Sequence, residues 1–146
     1  MATPGTVDSV VPRAKAAFHA LIPAVAYLIG YPVGAYILAV TGIIMAVSVI
    51  GGPQYSLFGQ IFKAVRPALK IGPGKPENVA PHRFSEAMGA GGLLIAAALY
   101  FLGAHGLAEI VTLVIVALAF LNAATGICVG CQMYTLFKRT SKSAVA

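Results

Sequence analysis

Ala35-Tyr36-Ile37-Leu38-Ala39-Val40-Thr41-Gly42-Ile43-Ile44-Met45-Ala46-Val47-Ser48-Val49-Ile50 is a run of apolar and small residues without one charge. It is the second half of a longer apolar block, and a second such block lies further along the chain. Each block is long enough for two helical crossings of a bilayer. Composition agrees: 59% of the 146 residues are hydrophobic and 10% charged, with a mean hydropathy of +0.88. A soluble domain carries about 25% charged residues to face water. A chain this poor in charge must be covered by lipid.

The net charge of +6 would point to nucleic acid in a soluble protein. Its placement points elsewhere. The ten Lys/Arg fall in three clusters: Arg13 and Lys15; Lys63, Arg66, Lys70, Lys75 and Arg83; Lys138, Arg139 and Lys142. With the apolar blocks between them, this is the positive-inside pattern of a four-span protein with both termini in the cytoplasm. The reading is a multi-pass inner-membrane protein whose basic residues meet anionic head groups, with no role in binding nucleic acid. Residues Met1 to Val11 carry no basic n-region, so the first span is expected to stay in the mature chain.

Working outward, residues 1–12 read as a flexible tail. Spans are expected at about 13–30, 35–50, 84–102 and 107–126, with Pro23 kinking the first. Between the blocks, Phe58, Ile61, Phe62, Val65 and Leu69 recur on one helical face while Lys63, Arg66 and Lys70 line another. That predicts an amphipathic helix over about 56–70 lying in the cytoplasmic interface, N-capped by Ser56 and bent by Pro67. Lys63, Arg66 and Lys70 are its membrane-interface candidates. Gly72, Pro73, Gly74 and Pro76 mark 71–81 as a linker. Glu86, three residues past Arg83, is expected to neutralise it. Residues 140–146 read as a C-terminal tail. The small residues of Ala87-Met88-Gly89-Ala90-Gly91-Gly92 suit close helix–helix approach.

The two blocks repeat one plan. Pro12-Arg13 matches His82-Arg83 at an offset of 70, and Gly51 and Phe62-Lys63 match Gly126 and Phe137-Lys138 at 75. The predicted architecture is therefore an all-α four-helix membrane bundle made of two repeated hairpins, related by an axis along the membrane normal. On this alignment Cys128 falls opposite Pro53 and Cys131 opposite Ser56, so the second repeat adds a C-x-x-C.

Cys128 and Cys131 are the two cysteines of the chain. Thiols three residues apart on a helix lie close enough to form a readily reduced disulfide. If the fourth span breaks at Gly126 and a new helix begins near Cys128, the helix dipole lowers that thiol's pKa and makes it a better nucleophile. If the helix continues, Cys128 faces a C-terminus and is less reactive. The plain alternative is two small residues packed at a bundle end. A structural zinc site wants four ligands. His19 and His82 share the membrane side but have no ligand spacing of their own, so no metal and no cofactor is assigned. His19, about a turn inside the boundary, could activate a thiol; hydrogen bonding to a neighbouring helix is the competing role. The sequence holds no phosphate loop, hydrolase triad or dinucleotide fingerprint.

Three stretches together resemble a known family: Gly52-Pro53-Gln54-Tyr55-Ser56-Leu57-Phe58-Gly59, then Pro81-His82-Arg83-Phe84, then Asn122-x-x-Thr125-Gly126-x-Cys128-x-Gly130-Cys131. In this order they are similar to the DUF4395 group of bacterial integral membrane proteins, over about Val11 to Phe137. The resemblance implies a fold and a membrane location and carries no activity. The leading functional expectation, from the residues, is a thiol–disulfide or sulfur-relay component. Cys128 would attack, Cys131 resolve and His19 assist, with a thioredoxin-like or sulfurtransferase partner. Two other classes stand beside it: a non-catalytic scaffold recruiting a partner through the basic helix, and a small-solute permease acting as a homo-oligomer.

Overall fold

A computed structural model of the chain describes residues 5–145, with the side chains of Pro53 and of 143–145 left aside. Six α-helices and one short strand pair account for it. Helix α1 spans Val10–Ile29, α2 Val33–Gly51, α3 Leu57–Val65, α4 Val79–Phe101, α5 His105–Thr125 and α6 Val129–Val145. A 3₁₀ turn, Pro53–Tyr55, joins α2 to α3.

Three of these, α2, α4 and α5, are long and apolar enough to cross a membrane, which by length and composition makes this a multi-pass membrane protein. Helix α1 is equally long but carries Arg13, Lys15 and His19 in its first half and is not among them. The packing is that of helices in lipid rather than in water. Its buried cluster is built largely from alanine, with Leu38, Met45, Leu93 and Tyr100 among Ala26, Ala35, Ala90, Ala96, Ala97 and Ala108. Meanwhile Ile43, Val47, Ile50, Leu113, Val114 and Phe120 stand exposed. Small residues inside let helix backbones approach closely, and large apolar ones outside cost nothing against lipid tails.

Helix α1 packs on α5 and α2, and α4 packs on α2 and α5; α3 lies against α1, and α6 against α4. Two arginines tie the helix ends together. Arg13, in the first turn of α1, donates to the Ala124 carbonyl near the end of α5 at 3.4 Å. Arg83, in α4, donates to the Val49 carbonyl near the end of α2. Both satisfy carbonyls that a terminating helix leaves without partners. The ends of α2 and α5 therefore lie beside the starts of α1 and α4, which we call the basic end. At the opposite end Tyr31, Tyr100 and His105 stack together.

Several sequence expectations change. The tail over 1–12 is tied down where it is described: β1, Thr6–Asp8, pairs antiparallel with β2, Pro76–Asn78, inside the expected linker. Met1 to Pro4 lie outside the described residues. Asp8 explains the clasp. Its Oδ1 accepts the backbone N–H groups of Val10 and Gly74, each at 3.0 Å, and its Oδ2 meets the Arg66 guanidinium at 3.0 Å. Partial burial alone would raise the Asp8 pKa, but those donors and the arginine charge outweigh it and hold the carboxyl below its ordinary value. Helix α1 starts three residues early, and α4 starts at Val79 rather than near residue 84, because Asn78 caps it through the Ala80 N–H. Where the sequence predicts a helix over about 56–70, α3 ends at Val65, since Pro67 cannot continue the ladder. Its Ser56 cap is present, accepting from Gly59 N at 3.3 Å. The expected C-terminal tail is helical up to Val145. Glu86 pairs with Lys15 across helices, not with Arg83 along its own.

Candidate functional site

The chain breaks after α5 because Gly126 closes that helix in the left-handed region, φ +76°, which side-chain-bearing residues rarely adopt. Two residues on, Cys128 is buried and immediately precedes α6. Its Sγ accepts the backbone N–H of Cys131 at 3.3 Å, the third residue of the new helix. A sulfur thus does the work that a serine oxygen does at an N-cap. Of the two alternatives in the sequence, the broken helix is the one observed, and Cys128 sits at a helix N-terminus.

Cys128 and Cys131 are joined as a disulfide, with their Cα atoms 5.2 Å apart. Their surroundings differ. Ser85 Oγ lies 3.2 Å from Cys128 Sγ. The helices come this close because residue 130 is glycine: a Cβ there would sit 2.6 Å from Ser85 Oγ and 2.9 Å from Ser85 Cα. Cys131 is the more exposed cysteine, and its Sγ lies 3.6 Å from Nδ1 of His82. The other ring nitrogen of His82 meets Glu77 Oε2 at 2.8 Å. With the proton on Nε2 shared with that carboxylate, the Nδ1 lone pair faces the sulfur. Glu77, His82 and Cys131 therefore stand in line, the carboxylate orienting the imidazole toward the sulfur.

Two hollows meet at the disulfide. An open groove of about 390 Å³ is lined by Glu77, Pro81, His82, Ile127, Cys131 and Gln132, together with Cys128. Deeper among the helices lies a cavity of about 340 Å³ that Cys128 also borders, together with Lys15, His19, Glu86, Asn122 and apolar walls. Cys128 and His82 border both.

Depth in the sequence points to His19 as a thiol's helper, and the structure puts a different histidine beside the sulfur. His19 is buried, packs edge-on to Phe58 at 5.2 Å, and its Nε2 has no hydrogen-bond partner. Both histidines border the cavity, but His82 holds the place next to Cys131. No local ligand spacing marks His82. The signal available in the sequence is its neighbour Glu77, five residues earlier, on the same side as the cysteines. Of the three interface candidates, Lys63 and Lys70 are exposed, but the Arg66 guanidinium is engaged by Asp8 and the carbonyls of Ile71 and Gly72.

The family described as domain of unknown function DUF4395 matches residues 7–139, nearly the whole chain. The chain belongs to the DUF4395 family. No curated protein and no solved structure matches it, so the DUF4395 assignment carries the resemblance seen in the sequence and adds no activity to it. Among the described residues, His82, Cys128 and Cys131 are the group whose donor atoms could share a metal ion, all lying within 4.8 Å of one another.

Proposed function

We propose that this DUF4395 protein is a four-span membrane thiol–disulfide exchanger whose disulfide is opened by attack on Cys131. The observation that carries the reading is the unequal setting of the two sulfurs: Cys131 beside an oriented histidine at an open groove, Cys128 buried at a helix N-terminus. In this reading α1 is the fourth span, its basic turns lying at the cytoplasmic face with both termini, in the inner membrane. The paired arginine caps support two repeated hairpins, since Arg13 and Arg83 occupy matching places and hold matching carbonyls. Helix α3, with Lys63 exposed and Phe58 and Phe62 buried against α1, is the interfacial element.

The chemistry follows from the donors. A thiolate of a soluble dithiol partner, of thioredoxin-like or sulfurtransferase type, attacks Cys131 Sγ. The S–S bond breaks, and its electron pair leaves on Cys128. That thiolate is a good leaving group because the Cys131 N–H and the Ser85 hydroxyl stabilise it, as does the helix N-terminus. The partner's second thiolate then attacks its own sulfur in the mixed disulfide and releases Cys131, which takes a proton through His82. The partner leaves oxidised by two electrons, and the C-x-x-C remains as a dithiol.

This exchanges the roles expected from the sequence. With Cys131 as the attacked and re-attacking sulfur, Cys128→Ser leaves an accessible thiol that traps a mixed disulfide with the partner on a non-reducing gel. Cys131→Ser leaves a buried one that traps nothing. No trapped species in either variant defeats the exchange reading. A second reading draws on the same geometry: in the reduced protein both sulfurs and His82 Nδ1 could hold a tetrahedral ion such as Zn²⁺, with Glu77 fixing the histidine from behind. It predicts that both serine variants lose bound zinc and stability together.

A further inference from the structure

The cavity behind Cys128 is unusual in what it leaves unpaired. Two buried polar atoms among the described residues have no hydrogen-bond partner, His19 Nε2 and Glu86 Oε1, and both residues line this one cavity. Buried polar atoms are otherwise almost always satisfied, because leaving one bare forfeits its hydration with nothing in return. Glu86 is held in place by Lys15, whose Nζ lies 2.7 Å from Oε2, with both side chains largely buried. The remaining oxygen of Glu86 is thus a fixed acceptor, and Lys15 brings a cation to the same wall. Met45, Leu93, Ile115 and Leu118 supply the apolar lining.

Resting on the exchange reading above, we propose that this cavity binds a lipid-soluble quinone that reoxidises the Cys128–Cys131 dithiol. Four features converge on that class. The hollow, about 340 Å³, has the size of a small-molecule pocket. Its walls are mainly apolar, as a ligand dissolved in a bilayer requires. Its polar groups suit a molecule with a carbonyl in one redox state and a hydroxyl in the other: Lys15 can donate to the former, and Glu86 Oε1 can accept from the latter. Last, the cavity touches the disulfide at Cys128, and the groove touches it at both Cys128 and Cys131, so both hollows reach the same bond.

The step balances. The Cys128 thiolate adds to a ring carbon of the quinone; the Cys131 thiolate then attacks Cys128 Sγ, forming the S–S bond as the S–C bond breaks. The electron pair of the broken bond stays on the ring. With the two protons of the original thiols the ring becomes a hydroquinone. Dithiol and quinone give disulfide and hydroquinone, two electrons and two protons moving together. His19 and Glu86 act here as ligand-binding groups. His19 is thereby removed from thiol activation, the part the sequence offers it.

The test uses the full chain in lipid nanodiscs, reduced and freed of reductant, with a fully substituted decyl benzoquinone as probe. The expected result is loss of one quinone per protein, read by ultraviolet absorbance, with matching loss of alkylatable thiols. His19→Phe, which keeps a ring but removes the unpaired nitrogen, and Glu86→Gln, which removes the fixed charge, should each slow that oxidation about tenfold, the worth of one lost hydrogen bond. Opening of the disulfide by a soluble dithiol is measured in the same preparations. If quinone leaves the dithiol untouched while the soluble dithiol still opens the disulfide, the quinone proposal falls and the exchange reading stands. If neither reaction occurs, both fall. Quinone oxidation at an equal rate in wild type and both variants also overturns the proposal, since the reaction would then lie outside the cavity.

Discussion

Replacing Gly130 by alanine should loosen the seat of the disulfide. The added Cβ would lie 2.6 Å from Ser85 Oγ, 2.7 Å from its Cβ and 2.9 Å from its Cα. Non-bonded carbons rest at about 3.5–4.0 Å, so the helices must separate by roughly 0.5–1 Å. The serine hydroxyl could swing aside; its Cα cannot. Overpacking of this kind costs about 1–3 kcal/mol, a factor of roughly 5 to 150 in the folding equilibrium. Gly91 is the control. It sits in the interior of α4 with nothing within 4 Å of an added methyl group, so Gly91→Ala should be neutral or gain up to about 1 kcal/mol of helix propensity. The assay is unfolding in mixed micelles of rising sodium dodecyl sulfate content, followed by circular dichroism. After reduction, Cys128 should also alkylate faster in Gly130→Ala, because Ser85 no longer covers it. Coincident unfolding curves for Gly130→Ala and Gly91→Ala would refute the close contact between α4 and α6.

Three further outcomes follow from the same contacts. The Asp8 clasp has a lowered carboxyl pKa, so its contribution is full above the ordinary value of 3.8 and drains away as pH falls below it; proteolysis in residues 71–75 should rise in acid in the wild type, and Asp8→Asn should show the raised rate at neutral pH. Cysteines placed at Tyr31 and Gly103, on a background without Cys128 and Cys131, should label from outside intact cells with an impermeant maleimide, and labelling at Ser143 instead would invert the orientation. Lys63→Ala and Lys70→Ala should weaken attraction to anionic vesicles, at about 1 kcal/mol for each charge near the surface, whereas Arg66→Ala should chiefly release the N-terminal strand, seen as faster amide exchange at Thr6 to Asp8.

What the sequence makes legible is whatever depends on local pattern. Apolar runs locate α2, α4 and α5; Ser56 announces a cap; Gly126 marks where a break can fall, though the sequence leaves a continuous helix equally open. The missing parts are pairings between distant residues. Nothing near Thr6 signals that it will meet Asn78, because a three-residue strand has no periodicity to read. Arg66 looks like a head-group ligand, since spacing assigns a side chain to a face but cannot show Asp8 waiting there. Spacing matches Glu86 to Arg83 on the same logic, whereas burial favours the cross-helix lysine. At the site, the C-x-x-C is visible, yet its histidine is not. His19 lies at the right depth, and depth does not fix direction; only packing of α4 against α6 brings His82 to Cys131.

The two halves differ most at their helix caps. Ser56 and Cys128 do one job: each precedes a helix and accepts the N–H of the residue three further on, Gly59 and Cys131, at the same 3.3 Å. The sequence alignment sets Ser56 opposite Cys131, so the structural equivalence moves the match to Cys128. Each cap also faces the partner helix of its own half. Gly59 lies near Lys15, and Gly130 lies against Ser85, and these two contact residues stand at the offset of 70 that relates Arg13 to Arg83. In the first half the glycine at the third position leaves an inert cap beside a lysine held by Glu86. In the second, cysteine at that position places a second sulfur one helical turn from the first, where geometry permits a bond, and serine in place of lysine supplies a hydroxyl for the buried sulfur. Few local changes convert a structural cap into a redox-capable one. Because the cap is needed for α6 whether or not the cysteines react, the sulfur of Cys128 is held by the same contacts that hold the helix.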